Sequence, residues 1–243
     1  MRAATAYGRL SAAALGTAAL SAHLSYSLGS GGSALGNFFS YFTMQSAIAA
    51  TVLWVTGGVI ALGRADDPRW LGTLRLLTTA YQLVSGGVYT VIVIESVSRG
   101  LSIQVPLSSQ ILHYWMPVLA LVDWLVSPGR VRPRWRVFWS AFPFPLAWAV
   151  FTMARGAAVG WYPYFFLDPY QLDGVGEFVG YAATVLTVIG IVALALIASG
   201  RVLPPSVRQE RLQARPHQVR HLGVVELGES QGVPAADGSD EHR

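Results

Sequence analysis

The sequence contains no cysteine and no lysine, and only 12% of its 243 residues are charged. Without cysteine, the chain cannot form disulfides, use a thiol nucleophile or bind a metal through thiolates. Without lysine, it cannot form a Schiff base or use an amine as a general base. All 17 basic residues are therefore arginines. Hydroxyl, imidazole and carboxyl groups remain as the candidates for chemistry.

Hydrophobic residues, by contrast, make up 53% of the chain, and the mean hydropathy is +0.44. Both values exceed those of an ordinary soluble domain. A helix needs roughly 20 apolar residues to cross a bilayer, and six apolar runs are long enough. We therefore predict an all-α, polytopic membrane protein with a bundle of six transmembrane helices within residues 1–200. The runs cover residues 8–28, 38–62, 74–95, 108–127, 137–154 and 178–199.

The first run follows Arg2 and Arg9 and so has some features of a signal peptide. Its apolar stretch is longer than a signal peptide requires, and five more runs follow, so we interpret it as the first helix. With six spans, 15 of the 17 arginines fall on one side of the membrane, and only Arg99 and Arg155 fall on the other. Because arginine is enriched in cytoplasmic connections, both termini are predicted to be cytoplasmic in a multi-pass cell-membrane protein.

Residues 201–243 are rich in Arg, Gln, Gly, Pro and acidic residues. This composition predicts a largely disordered cytoplasmic tail whose arginine-rich start contacts anionic membrane lipid. The sequence has no Walker loop and no HExxH motif. It also has no GxGxxG motif placed between a strand and a helix, which is the context that would indicate dinucleotide binding. We predict no cofactor and no nucleic-acid partner, because the arginines mark membrane ends rather than a nucleic-acid patch.

The second apolar run opens with the residues NFFSYFT, which end at Thr43. On a helix, Ser40 and Thr43 share a face with two alanines, at positions 47 and 50. Such a small-residue face suits close helix packing, with the Thr43 hydroxyl bonded back to the carbonyl of Phe39 or Ser40. The alternative is that the hydroxyl has a chemical function.

The predicted depth of Thr43 in the membrane, compared with that of two histidines, favours a chemical function for its hydroxyl. Thr43, His113 and His23 each lie about five residues, or ~8 Å, below the predicted outer boundary, on three different helices. A threonine becomes a useful nucleophile when a histidine accepts its proton. Pro117 cannot donate a hydrogen bond to the carbonyl of residue 113, so we expect a kink that opens space beside the imidazole. A structural role in the core is the alternative for both His113 and His23.

Other buried polar residues have less specific interpretations. Asp123 is expected to pair with an arginine of the connection that follows it. A metal site built from His23, His113 and a carboxylate lacks an assignable third ligand, so no metal is predicted. The aromatic residues 161–169 indicate an interfacial belt or a lid over a site. Interhelical hydrogen bonds are expected from Gln45, Gln82 and Gln110, and an imidazole-orienting carboxylate from Glu95, Asp168, Asp173 or Glu177.

Three motifs, NFFSYFTMQS, LHYWMPVLALVDW and WYPYFFLDP, together resemble the bacterial branch of the androgen-induced gene and androgen-dependent TFPI-regulating protein family. The resemblance extends to about residue 200. It implies a six-helix membrane hydrolase, since animal members cleave fatty acid esters of hydroxy fatty acids with an intramembrane threonine and a histidine. By motif position these two residues correspond to Thr43 and His113. The resemblance also implies a bacterial inner, or cytoplasmic, membrane.

Together these observations give the hypothesis of a lipid ester hydrolase in which Thr43 attacks the acyl carbonyl and His113 acts as general base. Oxyanion donors are expected among Asn37, Ser40 and the backbone amides near the start of the second run. The competing hypothesis is a non-enzymatic lipid or small-molecule carrier or scaffold that uses His23, His113 and Glu95 for binding or proton coupling. The residues expected to support the site or to bind the lipid ester substrate are His23, Asn37, Ser40, Tyr114 and Pro117.

Overall fold

The computed structural model describes residues 2–29, 35–98, 100, 105–128 and 132–202, and within them all regular structure is helical. Nearly all of the predicted tail, residues 203–243, lies outside the described residues. The α-helices are α1 Arg2–Gly29, α2 Leu35–Ser40, α3 Phe42–Gly63, α4 Arg69–Ser98, α5 Leu107–Gln110, α6 Met116–Val126, α7 Pro143–Val159 and α8 Val175–Val202. A π-helical turn spans Ile111–Trp115, and 3₁₀-helices span Trp135–Ala141 and Phe165–Leu167.

Within these described ranges, four helical segments are long and apolar enough to cross a membrane: Phe42–Gly63, Arg69–Ser98, Trp135–Val159 and Val175–Val202. They correspond to the second, third, fifth and sixth predicted spans, and the all-α class is confirmed. The first predicted span corresponds to α1, and the fourth to the stretch from α5 through the π-helical turn to α6. Neither of these two is among the four segments, so the count of six spans stays a prediction.

The second predicted span differs from a single continuous helix. It is interrupted at Tyr41, whose backbone is extended with φ −68° and ψ 132°. The carbonyl of Ser40, the last residue of α2, accepts a hydrogen bond from the indole nitrogen of Trp148 at 2.9 Å. A hydrogen bond from a side chain of α7 therefore satisfies the last carbonyl of α2. The next helix, α3, begins at Phe42, one residue before Thr43.

Glycines allow close contact between helices at the start of the bundle. A Cβ atom on Gly58 of α3 would lie 2.8 Å from the side chain of Leu10, and one on Gly16 of α1 would lie 2.5 Å from the Thr51 hydroxyl. The glycines leave room for these side chains, so α1 and α3 pack closely, as small residues permit between membrane helices.

A buried cluster of charges joins four parts of the chain: α1, the α3–α4 connection, α4 and α6. Asp67 accepts hydrogen bonds from Arg2, Arg9 and Arg75, at 2.9, 2.8 and 2.7 Å. Asp123 accepts bonds from Arg9 at 3.0 Å and Arg75 at 2.9 Å. Among the described residues, Asp123 thus pairs with arginines of α1 and α4 and not with an arginine of the connection that follows it; Arg130 of that connection lies outside the described residues.

The start of α1, the end of α8 and two connections on this side of the helical unit make further arginine contacts. Arg2 donates to the carbonyls of Arg64 and Pro128, at 3.1 and 2.8 Å. Arg201, near the end of α8, donates to the carbonyl of Pro133 at 3.1 Å. The start of α1 and the ends of α3, α6 and α8 thus share one end of the helical unit. The arginine distribution predicted this grouping, and the side of the membrane stays a prediction.

Candidate functional site

A cavity of about 380 Å³ lies towards the other end of α4 from the charge cluster. Its walls are mostly aliphatic and aromatic side chains from α3, α4, α7 and α8 and from the α7–α8 connection. Eight of its lining residues carry a hydroxyl or imidazole group: His23, Tyr41, Thr43, Ser85, Tyr89, Ser109, His113 and Tyr164. A cavity of this size with few polar groups is typical of a small-molecule site.

Thr43 lies in the first turn of α3 and has only 3% of its surface exposed. Its hydroxyl oxygen is 2.5 Å from the hydroxyl oxygen of Ser85 on α4. The alternative expectation, a bond from Thr43 to the carbonyl of Phe39 or Ser40, is not what the structure has. Those two carbonyls accept bonds from the side chains of Gln45 and Trp148 instead. The Thr43 hydroxyl is therefore held at the cavity by a second hydroxyl.

His113 is oriented by the backbone of its own turn. Its Nδ1 atom lies 2.9 Å from the carbonyl oxygen of Ser109, one turn earlier. A carbonyl only accepts hydrogen bonds, so Nδ1 carries the hydrogen in the neutral ring and Nε2 keeps the lone pair of a base. A backbone carbonyl thus fills the orienting role expected of a carboxylate. None of the residues that line this cavity is acidic.

Helix α4 connects the two candidate catalytic residues. Ser85 contacts Thr43, and the ring of Tyr89 stacks on the His113 ring with 3.8 Å between centroids. Ser85 and Tyr89 are four residues apart, which is about 6 Å along a helix at ~1.5 Å per residue. Thr43 and His113 therefore meet α4 at successive turns, on the wall of the same cavity.

The helix around His113 departs from regular α geometry, at the place where the sequence predicts a kink. The turn from Ile111 to Trp115 is π-helical, and Pro117 follows within the first turn of α6. The freed carbonyl of His113 faces Gly86, where an added Cβ atom would lie only 2.4 Å from the oxygen. Gly86 therefore lets the His113 turn approach α4 closely enough for the stacking with Tyr89.

His23 also lines the cavity. Its Nδ1 atom lies 3.2 Å from the hydroxyl of Ser108, and its ring is 6.2 Å from both the Tyr26 and the Phe38 rings, measured between centroids. The three residues predicted to share one depth, Thr43, His113 and His23, are thus gathered around one space. In the described residues no group of three or more His, Asp or Glu side chains forms a metal site.

The other predicted supporting residues have different positions. The Asn37 side-chain oxygen accepts a bond from Arg155 at 2.7 Å, and the Ser40 hydroxyl donates to the Gly36 carbonyl at 2.7 Å. Neither residue lines the cavity, which leaves their expected role as oxyanion donors without support from the geometry. Tyr114 is exposed on the helix surface, although its ring lies 5.8 Å from that of Tyr89.

The aromatic connection between α7 and α8 forms one side of the cavity. Tyr164 interacts with the Thr43 hydroxyl and with the backbone N–H groups of Phe42 and Thr43. Burial raises the pKa of Tyr164 to about 12, so its phenol remains protonated. This part of the connection therefore lies over the site, and its place at a membrane interface stays a prediction.

Sequence reasoning did not single out Ser85, Tyr89 or Tyr164. The first two carry a usable signal, since two hydroxyl side chains four residues apart in an apolar span lie on one helix face. Tyr164 carries no comparable signal, because it is one of several aromatic residues in its segment. Only the fold distinguishes it from its neighbours.

Compared with protein-family models, curated proteins and solved structures, the chain matches none of them. For the residues that it describes, the structure establishes an all-helical protein with four helices long and apolar enough to span a membrane, and a largely apolar cavity that contains hydroxyl and imidazole groups.

Proposed function

We propose that this protein is a hydrolase of lipid esters in the bacterial cytoplasmic membrane, with six spanning helices and both termini in the cytoplasm. Its substrate class is the fatty acid ester of a hydroxy fatty acid. The observation that carries the proposal is that Thr43 and His113 line one largely apolar cavity, with Ser85 on the Thr43 hydroxyl. The cavity walls suit an acyl chain, and the polar groups suit the ester that it carries.

The first half-reaction forms an acyl-enzyme. The oxygen of Thr43 attacks the acyl carbon, and its proton passes to Nε2 of His113, with Ser85 as the intermediate hydroxyl. The carbonyl π electrons move to the carbonyl oxygen and give a tetrahedral oxyanion. When this intermediate collapses, the bond to the alcohol oxygen breaks, and His113 returns the proton to that oxygen.

Water completes the cycle. His113 accepts a proton from a water molecule whose oxygen attacks the acyl carbon of the Thr43 ester. Collapse of the second tetrahedral intermediate breaks the bond to the Thr43 oxygen, which regains its proton from His113. The products are a fatty acid and a hydroxy fatty acid, and the enzyme is restored.

The test uses purified protein in detergent with a fatty acid ester of a hydroxy fatty acid as substrate. We expect Thr43→Ala and His113→Ala to lower kcat by about 10³-fold or more, as losses of a nucleophile or its base do in other hydrolases. Thr56→Ala is the matched control, because Thr56 is on the same helix and its hydroxyl bonds only to the Val52 carbonyl. It should keep full activity.

A fluorophosphonate probe, followed by mapping of the modified residue, gives a second readout. The probe should label Thr43 in the wild type and leave Thr43→Ala unlabelled. If both variants fold normally and still hydrolyse the ester or react with the probe, the catalytic proposal is wrong. If the wild type binds the lipid ester saturably but does not hydrolyse it, the competing hypothesis of a non-enzymatic carrier is favoured.

A further inference from the structure

Tyr164 is held rigidly beside the nucleophile by aromatic neighbours. Its ring lies 5.8 Å from that of Tyr41, 5.9 Å from that of Trp148 and 5.1 Å from that of Phe166, measured between centroids. Three neighbours from three different segments leave the ring little freedom to turn. The phenol group is consequently presented to the cavity at a fixed position.

The phenol oxygen meets the first turn of α3. It lines the same cavity as Thr43, and hydrogen bonding from the Thr43 hydroxyl and from the N–H groups of Phe42 and Thr43 opposes the rise that burial causes in the pKa of Tyr164. The first N–H groups of a helix have no acceptor within the helix, and they carry the positive end of the helix dipole. Their attraction for the phenol oxygen withdraws electron density from it, which makes the phenol O–H a stronger donor towards a third group.

An ester hydrolase needs a hydrogen-bond donor beside its nucleophile to stabilise the oxyanion of the tetrahedral intermediate. When the Thr43 oxygen attacks, negative charge develops on an oxygen bonded to the same carbon, close to the Thr43 side chain. Asn37 and Ser40, the side-chain candidates from sequence, are engaged with Arg155 and with the Gly36 carbonyl. Ser85 and Tyr164 are neutral donors that line the cavity and interact with Thr43; Ser85 is assigned to the proton transfer, which leaves Tyr164 for the oxyanion.

We propose that Tyr164 is a catalytic residue that stabilises the oxyanion of the tetrahedral intermediate with a hydrogen bond from its phenol. The inference rests on the proposed hydrolase function. The phenol O–H bond stays intact throughout, so the proton transfers between Thr43, His113 and the leaving group are unchanged. The donor is preorganised, because the aromatic contacts and the α3 amides hold it before substrate binds.

The test is Tyr164→Phe, which keeps the ring and its packing and removes only the hydroxyl. Loss of one oxyanion donor costs about 10²- to 10³-fold in kcat, and we expect that loss with KM unchanged. The affinity for a trifluoromethyl ketone with a fatty acyl chain, which forms a tetrahedral adduct with the nucleophile, should fall by a similar factor. The matched control is Tyr162→Phe, two residues away, which should change neither value.

The inference is overturned if Tyr164→Phe keeps kcat within threefold of wild type, if its loss appears in KM, or if Tyr162→Phe loses as much. In each case Thr43→Ala remains inactive and the hydrolase proposal is unaffected. Conversely, a fully active Thr43→Ala overturns the proposed function itself.

A second variant covers the case in which Tyr164→Phe does not fold. Replacing Tyr164 with 3,5-difluorotyrosine keeps the shape but makes the phenol more acidic. Activity should then acquire a descending limb at alkaline pH that the wild type lacks over the same range, because a phenolate cannot donate. A pH profile identical to that of the wild type would contradict the role.

Discussion

The hydroxyl oxygen of Thr43 lies 2.5 Å from the hydroxyl oxygen of Ser85, and this contact joins the first turn of α3 to the middle of α4. One turn further along α4, Tyr89 stacks on His113. The spacing of the two proposed catalytic groups is therefore set by a single helix rather than by a direct contact between them. We therefore expect substitutions on α4 to lower the activity even though Thr43 and His113 themselves are unchanged.

Ser85→Ala is the most direct such change. It removes the hydroxyl that orients Thr43 and relays its proton to His113. We expect kcat to fall by roughly 10- to 100-fold, less than for loss of the nucleophile, because a water molecule can take the place of the relaying hydroxyl. Thr78→Ala, on the same helix, is the control, since the Thr78 hydroxyl bonds only to carbonyls of its own helix. Full activity of Ser85→Ala, measured on the lipid ester, would show that Ser85 has no part in the reaction.

Gly86 and Gly87 offer a paired test of the packing beside His113. An added Cβ atom at Gly86 would lie 2.4 Å from the His113 carbonyl oxygen, whereas one at Gly87 would meet nothing within 4 Å. We expect Gly86→Ala to destabilise the protein by about 1–3 kcal/mol, as overpacking does, and to reduce activity by moving the His113 turn. Gly87→Ala should be neutral or stabilising by up to about 1 kcal/mol.

Thermal unfolding in detergent, together with the ester assay, checks this pair. Equal melting temperatures for the two variants would mean that the His113 turn does not depend on close approach to α4.

Much of the fold can be predicted from the sequence, because apolar runs and arginine positions follow from the energetics of the bilayer alone. The gathering of Thr43, His113 and His23 around one cavity was also predicted, from their similar distances to the ends of their apolar runs. The break at Tyr41 does not follow. It depends on a hydrogen bond from Trp148, about a hundred residues away in the chain, to the Ser40 carbonyl.

The partners of the buried charges show a similar limit. Sequence places Asp123 near the end of a helix and arginines in the connection that follows, which suggests a local pair. The actual partners are Arg9 and Arg75, whose side chains reach Asp123 only once α1 and α4 are packed against α6. The role of Asp67, which is fully buried in a short connection, could not be inferred from its neighbours.

Asp67→Asn tests how far this charge cluster stabilises the fold. The Asp67 carboxylate accepts bonds from Arg2, Arg9 and Arg75, and its side chain has no exposed surface. Removing one partner of a buried ion pair leaves an uncompensated charge and costs about 3–5 kcal/mol. We expect a clearly lower melting temperature, whereas Asp66→Asn, at the less buried neighbouring position, should change it little. Equal stability of the two variants would assign the cluster no structural role.

The same carboxylate should make stability depend on pH. Burial alone would raise the pKa of Asp67, but the hydrogen bond from Arg9 and the charges of Arg75 and Arg9 hold it below the ordinary value of 3.8. A carboxyl whose pKa is lower in the folded state stabilises the fold at pH values above its unfolded pKa. That contribution is then lost as the pH falls from about 4 through the folded pKa.

Melting temperatures measured between pH 7 and pH 3 should therefore fall more steeply below about pH 4 in the wild type than in Asp67→Asn, which has already lost the titrating group. Asp123 faces two of the same arginines, so Asp123→Asn is the necessary comparison. If Asp67→Asn and wild type lose stability in parallel over this range while Asp123→Asn does not, the acid sensitivity belongs to Asp123 and the assignment to Asp67 is wrong.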